Sequence, residues 1–343
     1  MKLKRLLVFF GLTLTIVVAL LSAGTLSPLW ANDTVAIPSA AMGGIQFRKE
    51  TRVSLEKERL RISLDKVLVE YEFLNQTNAD ITTEIAFPTA DLNCFHGAGD
   101  PEFLEHGFQL WVDGAALKFN TETRAWVGKR DYTVLLRELG VDIVTCGHYR
   151  SENDKSEDLS KLSREDVRSL IALGLVTPDG ERPLWTVRQI YYWTETFPAG
   201  RILHVKHEYK PGVGEGSQMA LKYLDPFERR KDQVGIPELD NACLGSARAQ
   251  RIMRSVGGPD FDEVLGYVIE WVDYILKTAN NWQGPIKDFA LEVDQPNDEK
   301  IWVNFCWKGP VERLGPNHIR VAARNFSPAQ DLHILFLATA SGR

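Results

Sequence analysis

A period-two alternation of apolar and polar residues is the feature that most restricts the fold of this chain. Residues 66–74 show it clearly, and residues 81–87 repeat it after the polar segment 75–78. Such alternation places one set of side chains on each face of a strand. The two segments are therefore predicted to form a hairpin with one buried face. The apolar positions are Val67, Val69, Tyr71 and Phe73 in the first strand and Ile81, Ile85 and Phe87 in the second, with Thr83 between them.

Strand patterns with turn signals between them recur along most of the chain. Asp113-Gly114 separates two short strand segments, and Pro198-Ala-Gly200 separates residues 186–197 from residues 202–209. Five further strands are predicted at 268–276, 286–293, 301–307, 318–323 and 333–338. Many short strands of this kind are typical of antiparallel sandwiches. We therefore predict a mainly β fold made of antiparallel β-sandwich-like lobes.

One segment has a helical period instead. Leu135, Leu136 and Leu139 recur at helical spacing, and Ser163 precedes a second helix that ends near Gly174. Residues 129–176 are therefore predicted as a helical insertion, in which the charged stretch 150–161 is a solvated loop. Loops are also predicted at 210–217 and 225–232, and a short helix near 247–255.

These patterns predict how the chain is divided. Residues 1–31 are expected to be a signal peptide and residues 32–343 a single unit. Within that unit we expect an N-terminal β lobe at 32–128, the helical insertion at 129–176 and a C-terminal β lobe at 177–343.

The first 31 residues have the order of a secretory signal peptide. Lys2, Lys4 and Arg5 precede an apolar run from Leu6 to Leu21, and Ala31 closes the segment. The run is shorter than the ~20 residues of a membrane-spanning helix. Cleavage after Ala31 and a periplasmic or secreted location are therefore expected, with a retained N-terminal anchor as the alternative. No membrane span is predicted in the mature chain.

The charge balance limits the partners. Without residues 1–31, which contain three basic residues and no acidic one, 37 basic and 46 acidic residues give a net charge of −9. Nucleic acid binding needs clustered Lys and Arg, and no basic stripe is visible. Nucleic acid is therefore not expected as a partner, and an anionic lipid surface is disfavoured for the same reason.

The mature chain contains four cysteines. In an oxidising compartment an even number of cysteines favours disulfides. Three pairings are possible, and we favour Cys94 with Cys146 and Cys243 with Cys306 because each bond then closes a loop within one half of the chain.

Several short strings resemble a known family when taken together. The chain is similar to a family of exported bacterial proteins catalogued as domain of unknown function 4424. The resemblance covers nearly the whole mature chain and implies a signal peptide, a soluble extracytoplasmic domain and a single family unit, but no activity, cofactor or catalytic residue. The strings are Gly43–Phe47, Tyr71–Asn75, Phe87-Pro88, Tyr191–Trp193, Phe197–Gly200, Glu208–Pro211, Asp273–Leu276, Asn281-Trp282, Gly284–Phe289 and Asp331–His333.

Two Cys-x-His strings suggest an alternative use of the first cysteine pair. Cys94, His96, Cys146 and His148 are a possible tetrahedral zinc set, and Asp91, Asp100 or Glu102 could then act as a general base on a zinc-bound water. A zinc-dependent hydrolase is the alternative function on these grounds. The oxidising compartment favours the disulfide over zinc, so no metal site is assigned.

The expected function is therefore binding rather than catalysis. No nucleophile elbow, phosphate-binding loop or zinc-protease motif is present, so we assign no catalytic and no cofactor-binding residue. Aromatic residues are abundant in the strands, where they most often fill a core. We expect a non-enzymatic binding or structural module of the cell envelope, whose partner is an envelope protein or a cell-wall polymer.

Overall fold

The computed structural model describes residues 34–37, 46–96, 107–150, 154–256, 266–294, 301–315 and 318–339. The predicted signal peptide and its cleavage site after Ala31 lie outside these residues. The described part of the chain is mainly β, as predicted, with several sheets and a few short helices. The predicted boundaries at residues 128 and 176 remain predictions.

The strands and helices are numbered along the chain. The strands are β1 (Thr34–Ile37), β2 (Gln46–Arg48), β3 (Val53–Ile62), β4 (Val67–Asn75), β5 (Ile81–Pro88), β6 (Leu92–Asn93), β7 (Gln109–Val112), β8 (Ala115–Ala116), β9 (Asn120–Val127), β10 (Arg130–Asp131), β11 (Thr186–Phe197), β12 (Ile202–Tyr209), β13 (Val213–Ala220), β14 (Gly266–Tyr274), β15 (Ile286–Asp294), β16 (Ile301–Asn304), β17 (Glu312–Gly315), β18 (His318–Phe326) and β19 (Leu332–Thr339). The helices are α1 (Thr133–Glu138), α2 (Glu157–Lys161), α3 (Arg164–Ala172), α4 (Pro226–Asp232), α5 (Pro237–Asn241) and α6 (Ser246–Val256).

The largest sheet, here called the central sheet, has the order β17-β18-β15-β3-β4-β12-β7-β8. Its neighbouring strands are antiparallel except β3 and β15, which run parallel with Leu60 opposite Leu291. This pair joins a strand from near the start of the chain to one from near its end. The central sheet thus contains strands from both predicted β lobes.

Two smaller sheets pack on one face of the central sheet. One has the order β10-β9-β11-β5-β1-β2, with β6 also paired to β11, and the other has the order β13-β14-β19-β16. Tyr71 and Phe73 project from the same face of β4. The ring of Phe73 lies 5.7 Å from that of Phe197 on β11, and the Tyr71 hydroxyl lies 3.0 Å from that of Tyr274 on β14. A single core is therefore shared by all three sheets.

Two helical layers complete the described structure. Helices α1 to α3 lie within the predicted insertion and belong to a second apolar core that includes Leu136, Leu159 and Leu170. Helices α5 and α6 and the 3₁₀ turn Leu221–Leu224 cover the other face of the four-stranded sheet, where a third core forms. None of the helices in the described ranges is long and apolar enough to cross a membrane.

The prediction of a solvated loop at 150–161 is wrong for its second half, which contains helix α2. The Ser156 side chain accepts a hydrogen bond from the Leu159 backbone N–H at 3.3 Å and donates one to the Gly147 carbonyl at 2.6 Å. Ser156 and Leu159 are both buried. A serine cap of this kind starts a helix even where apolar residues are scarce.

The loops predicted at 210–217 and 225–232 are also wrong. Asp225 accepts a hydrogen bond from the Phe227 N–H at 2.9 Å and caps helix α4, and Pro226 occupies the first turn, where its missing N–H costs little. Residues 213–220 form β13 despite their glycines. A Cβ on Gly214 would lie 2.1 Å from the Trp271 ring, so the indole occupies the space that a side chain would need.

Candidate functional site

The outer face of the central sheet carries charged columns that alternate in sign from strand to strand. Side chains alternate between the two faces of a strand. One face of each central strand packs on the core, and the other face carries polar side chains. The columns are basic on β18 (His318, Arg320, Arg324), acidic on β15 (Asp288, Glu292, Asp294), basic on β3 (Lys57, Arg59, Arg61) and acidic on β4 (Glu70, Glu72). Strand β12 follows with His204 and Lys206.

Most of these charges are paired across neighbouring strands. Arg59 lies 2.6 Å and Arg324 3.2 Å from the Asp288 carboxylate, and Lys57 lies 2.5 Å from Glu72. The hydrogen bond from Arg59 lowers the pKa of the Asp288 carboxyl below its usual value. Cross-strand pairs of this kind hold long side chains in fixed positions. The face is therefore an ordered polar surface with little unbalanced charge.

A groove of about 600 Å³ lies on this face toward the β8 edge. Its lining includes Lys57, Arg59, Glu70, Trp111, His204 and Lys206. The Lys206 ammonium lies over the indole of Trp111, 4.8 Å from the ring centre. Such a cation–π contact restricts both side chains. A volume of this size falls within the range of ligand sites.

Glu70 and His204 are the uncommitted polar side chains of the groove. The strand register places Glu70 opposite Arg59 on one side and Lys206 on the other. Arg59 instead pairs with Asp288, and Lys206 lies over Trp111. Within the described ranges no cation lies within ion-pair distance of Glu70, and no side-chain hydrogen bond is made by His204. Both are exposed and available to a ligand.

A tight turn closes one end of the groove. Asp113 and Gly114 both have positive φ, 46° and 82°, as the predicted two-residue hairpin requires. The turn is tied to β12, because the Asp113 N–H donates to the His204 carbonyl at 2.8 Å and the His204 N–H donates to the Asp113 carboxylate at 3.0 Å. The Asp113-Gly114 signal in the sequence therefore fixes the position of Trp111 relative to His204.

The two histidines of β12 lie on opposite faces, as their odd spacing indicates. His204 faces the groove, whereas His207 is fully buried. Aromatic rings surround it, with centroids at 4.9 Å for Phe87, 5.1 Å for Phe108 and 5.4 Å for Trp193. Burial lowers the pKa of His207 to about 3. This imidazole is neutral at physiological pH and has no access to a ligand in the groove.

The first cysteine pair forms a disulfide. Cys94 is bonded to Cys146 with Cα atoms 5.5 Å apart, and Cys243 is bonded to Cys306 with Cα atoms 5.0 Å apart. This is the pairing that the sequence favours. Because the sulfurs of Cys94 and Cys146 are bonded to each other, neither is a free thiolate that could bind zinc.

The described residues of the possible zinc site have other partners. The Nδ1 atom of His148 lies 3.2 Å from the Asp158 carboxylate, which also accepts a hydrogen bond from the Asp142 N–H at 2.9 Å. The side chain of His96 lies outside the described part, as do Asp100 and Glu102. Asp91 binds the guanidinium of Arg188 through both oxygens, at 2.9 and 2.8 Å. Among the described residues no three or more metal-binding side chains converge on one point.

The groove itself was not predicted from the sequence. Its residues come from β3, β4, β7 and β12, and only the pairing of these strands brings them together. The available signal was Trp111, a large aromatic residue between Gln109 and the Asp113-Gly114 turn on a strand whose core position is Leu110. The general expectation that strand aromatics fill the core holds for Trp193, which is buried, but not for Trp111.

Comparison with known proteins gives a family but no activity. No curated protein matches the chain. A crystal structure from Legionella pneumophila subsp. pneumophila strain Philadelphia 1, provisionally described as a nutrient binding protein, has 12% sequence identity and a TM-score of 0.36 over 90% of this chain and 72% of that one. This TM-score is too low to establish a shared fold. A family model described as "Domain of unknown function (DUF4424)" matches residues 31–335, and the chain therefore belongs to that family.

Proposed function

We propose that this protein is exported and acts outside the cytoplasm as a non-enzymatic binding module of the cell envelope, with the groove as its ligand site. The two disulfides support a location where thiols are oxidised. The signal-peptide pattern of residues 1–31 supports the same location. The partner is an envelope protein or a cell-wall polymer.

The observation that carries this proposal is the contrast between the groove and the rest of the outer face. Charges elsewhere on the face are largely paired, but the groove presents a half-buried indole and two polar side chains with no side-chain partner among the described residues. Aromatic surface with a few fixed polar groups is what ligand sites commonly offer. The groove is built on paired strands, and Lys206 restrains Trp111, so the backbone and the indole are positioned before the ligand arrives, which lowers the entropy lost on binding.

The proposed location can be tested by intact mass. Protein recovered from the export compartment should begin at Asn32, and reduction should add four hydrogens for the two disulfides. Protein found only in the cytoplasm, with residues 1–31 retained and four free thiols, would contradict the proposed location.

The proposed site can be tested by binding and substitution. Soluble envelope fractions, namely wall fragments, envelope polysaccharide and extracted envelope protein, are titrated into the mature protein while thermal stability is followed. At least one fraction should raise the melting temperature, because a ligand that binds only the folded state stabilises it. Trp111→Ala should remove that shift. Trp126→Ala is the matched control, since Trp126 is also half-buried in a strand but lies on a different sheet. An equal shift in both variants, or none with any fraction, would contradict the groove as the site.

A further inference from the structure

The charge of the groove is close to balanced. Its lining has three cations, Lys57, Arg59 and Lys206, and two carboxylates, Glu70 and Glu72. Two of the cations already bind carboxylates, since Lys57 pairs with Glu72 and Arg59 with Asp288. An anionic ligand would approach these carboxylates, and a cationic one would approach the three cations. Like charges held close to a ligand cost affinity, so strongly ionic ligands are disfavoured.

The Lys206 ammonium lies over the indole of Trp111, and the other residues beside the ring are small. Lys206 is its neighbour on β12, and Ala116 is its neighbour on β8. Ala116 is small and exposed, so it leaves the ring accessible from that side. Gly114 adds no side chain, and a Cβ placed there would meet nothing within 4 Å. The turn therefore leaves room for a ligand next to the ring.

The uncommitted polar groups suit hydroxyl groups. The Glu70 carboxylate is a hydrogen-bond acceptor, and the ring nitrogens of His204 can make hydrogen bonds with hydroxyl groups. They are diagonal neighbours on adjacent strands, because Glu70 lies opposite Lys206 and His204 lies opposite Glu72, which puts them about 7–8 Å apart. A sugar ring offers C–H groups on its face, which stack on aromatic rings, and hydroxyl groups around its edge. The chemistry of Trp111, Glu70 and His204 matches those two surfaces, and all three residues line the same groove.

From these observations we infer that the groove takes an uncharged glycan segment, with a sugar ring on Trp111 and its hydroxyl groups bound by Glu70 and His204. The inference rests on the proposed function and names the ligand class of the same site. It selects a neutral polysaccharide from the partners considered above and sets aside a charged polymer or a peptide.

The test uses defined probes on the mature protein. Neutral oligosaccharides, a tetramer of N-acetylglucosamine and a tetramer of glucose, are titrated by calorimetry beside poly-L-glutamate and poly-L-lysine. Each titration is run at about 50 mM and about 500 mM salt, because ionic binding weakens as salt screens charges and neutral binding does not. At least one neutral tetramer should bind, with a Kd that changes less than about twofold between the two salt concentrations.

Two groove variants and a control locate the binding. Trp111→Ala and Glu70→Ala should each weaken the neutral tetramer about tenfold or more, since each removes one of the proposed contacts. Glu165→Ala is the control for Glu70→Ala, because Glu165 is an exposed carboxylate on helix α3. The control should bind as the wild type does. Circular dichroism and melting temperature confirm that each variant is folded.

The outcomes separate the two proposals. If only a charged polymer binds, with salt dependence and with loss in Trp111→Ala, the glycan inference is overturned and the groove remains a binding site. Neutral binding that is unchanged in Trp111→Ala also overturns the inference. If neither the oligosaccharides nor any envelope fraction binds, both proposals fall.

Discussion

The hydroxyl groups of Tyr71 and Tyr274 lie 3.0 Å apart inside the core and connect the central sheet to the four-stranded sheet. Both residues are almost completely buried, and they are separated by 203 positions in the chain. On either side of Tyr71, Glu70 and Glu72 point to the opposite face and line the groove. The buried contact therefore lies directly behind the candidate ligand site.

Replacing either tyrosine with phenylalanine should lower the free energy of unfolding. Each single variant removes one hydroxyl and leaves its partner buried, at a cost of about 1 to 2 kcal/mol. Both groups also make other contacts, so the pair is best measured by a double-mutant cycle in urea. The double variant should lose less than the sum of the single variants. Strict additivity would show that the two hydroxyls do not stabilise each other.

The burial of His207 should make the protein sensitive to mild acid. The pKa of this imidazole is about 3 in the folded chain, whereas the usual value for histidine is 6.5. Between these values the unfolded chain binds a proton that the folded chain does not, so stability falls as pH falls from 6.5 toward 3. The slope from this one group should approach ~1.4 kcal/mol per pH unit.

Two variants isolate the contribution of His207. His207→Phe, which keeps a ring in the aromatic cluster, should reduce the slope of unfolding free energy between about pH 6 and pH 4 by nearly the amount of one proton. His204→Gln is the control on the same strand, because the His204 side chain lies on the opposite, exposed face. Equal slopes in the wild type and His207→Phe, measured by urea unfolding at each pH, would contradict the assignment.

Strand faces were predictable because alternation is a local property. Val67, Val69, Tyr71 and Phe73 are all buried, as the period-two pattern predicts. Each of the five closing strands is also present, although the third ends at Asn304 rather than at residue 307. A period-two pattern identifies the buried face of a strand without any knowledge of its neighbours.

Strand partners were not predictable, and the groove depends on them. The parallel pairing of β3 with β15 joins residues more than 200 positions apart, and no local pattern specifies it. The ion pair between Arg59 and Asp288 cannot be predicted without that pairing. Because Arg59 binds Asp288, Glu70 has no ion-pair partner among the described residues, and this cannot be predicted either. The helix that begins after Asp225 could have been predicted, because Asp225-Pro226 is a capping signal. The many charges of residues 225–232 favoured a loop instead.

Removal of a disulfide should lower stability strongly. The bond between Cys94 and Cys146 spans 52 positions, and the one between Cys243 and Cys306 spans 63. Loop closure of this length in the unfolded chain predicts a loss of about 4 kcal/mol for each bond when both of its cysteines become alanine. Because the loops are similar in length, the two double variants should lose similar amounts in denaturant unfolding. A loss below ~1 kcal/mol for either would show that its loop is already restrained in the unfolded state.

The turn around the first disulfide gives a prediction with an internal control. Gly147 has φ of +69°, and a Cβ there would lie 2.6 Å from the Ser156 hydroxyl, which caps helix α2. Gly140 also has positive φ, +74°, but a Cβ there would meet nothing within 4 Å.

Gly140→Ala should therefore cost only the left-handed backbone penalty, about 1 to 2 kcal/mol. Gly147→Ala should cost that amount and about 1 kcal/mol more, because Ser156 must move and its cap is weakened. Urea unfolding of both variants measures the difference directly, and Ser156→Ala in the Gly147→Ala background should add little further loss. If the two glycine variants lose equal stability, the Ser156 hydroxyl can move away from the new Cβ at no cost in free energy. The contact between Ser156 and the Gly147 turn would then not stabilise α2.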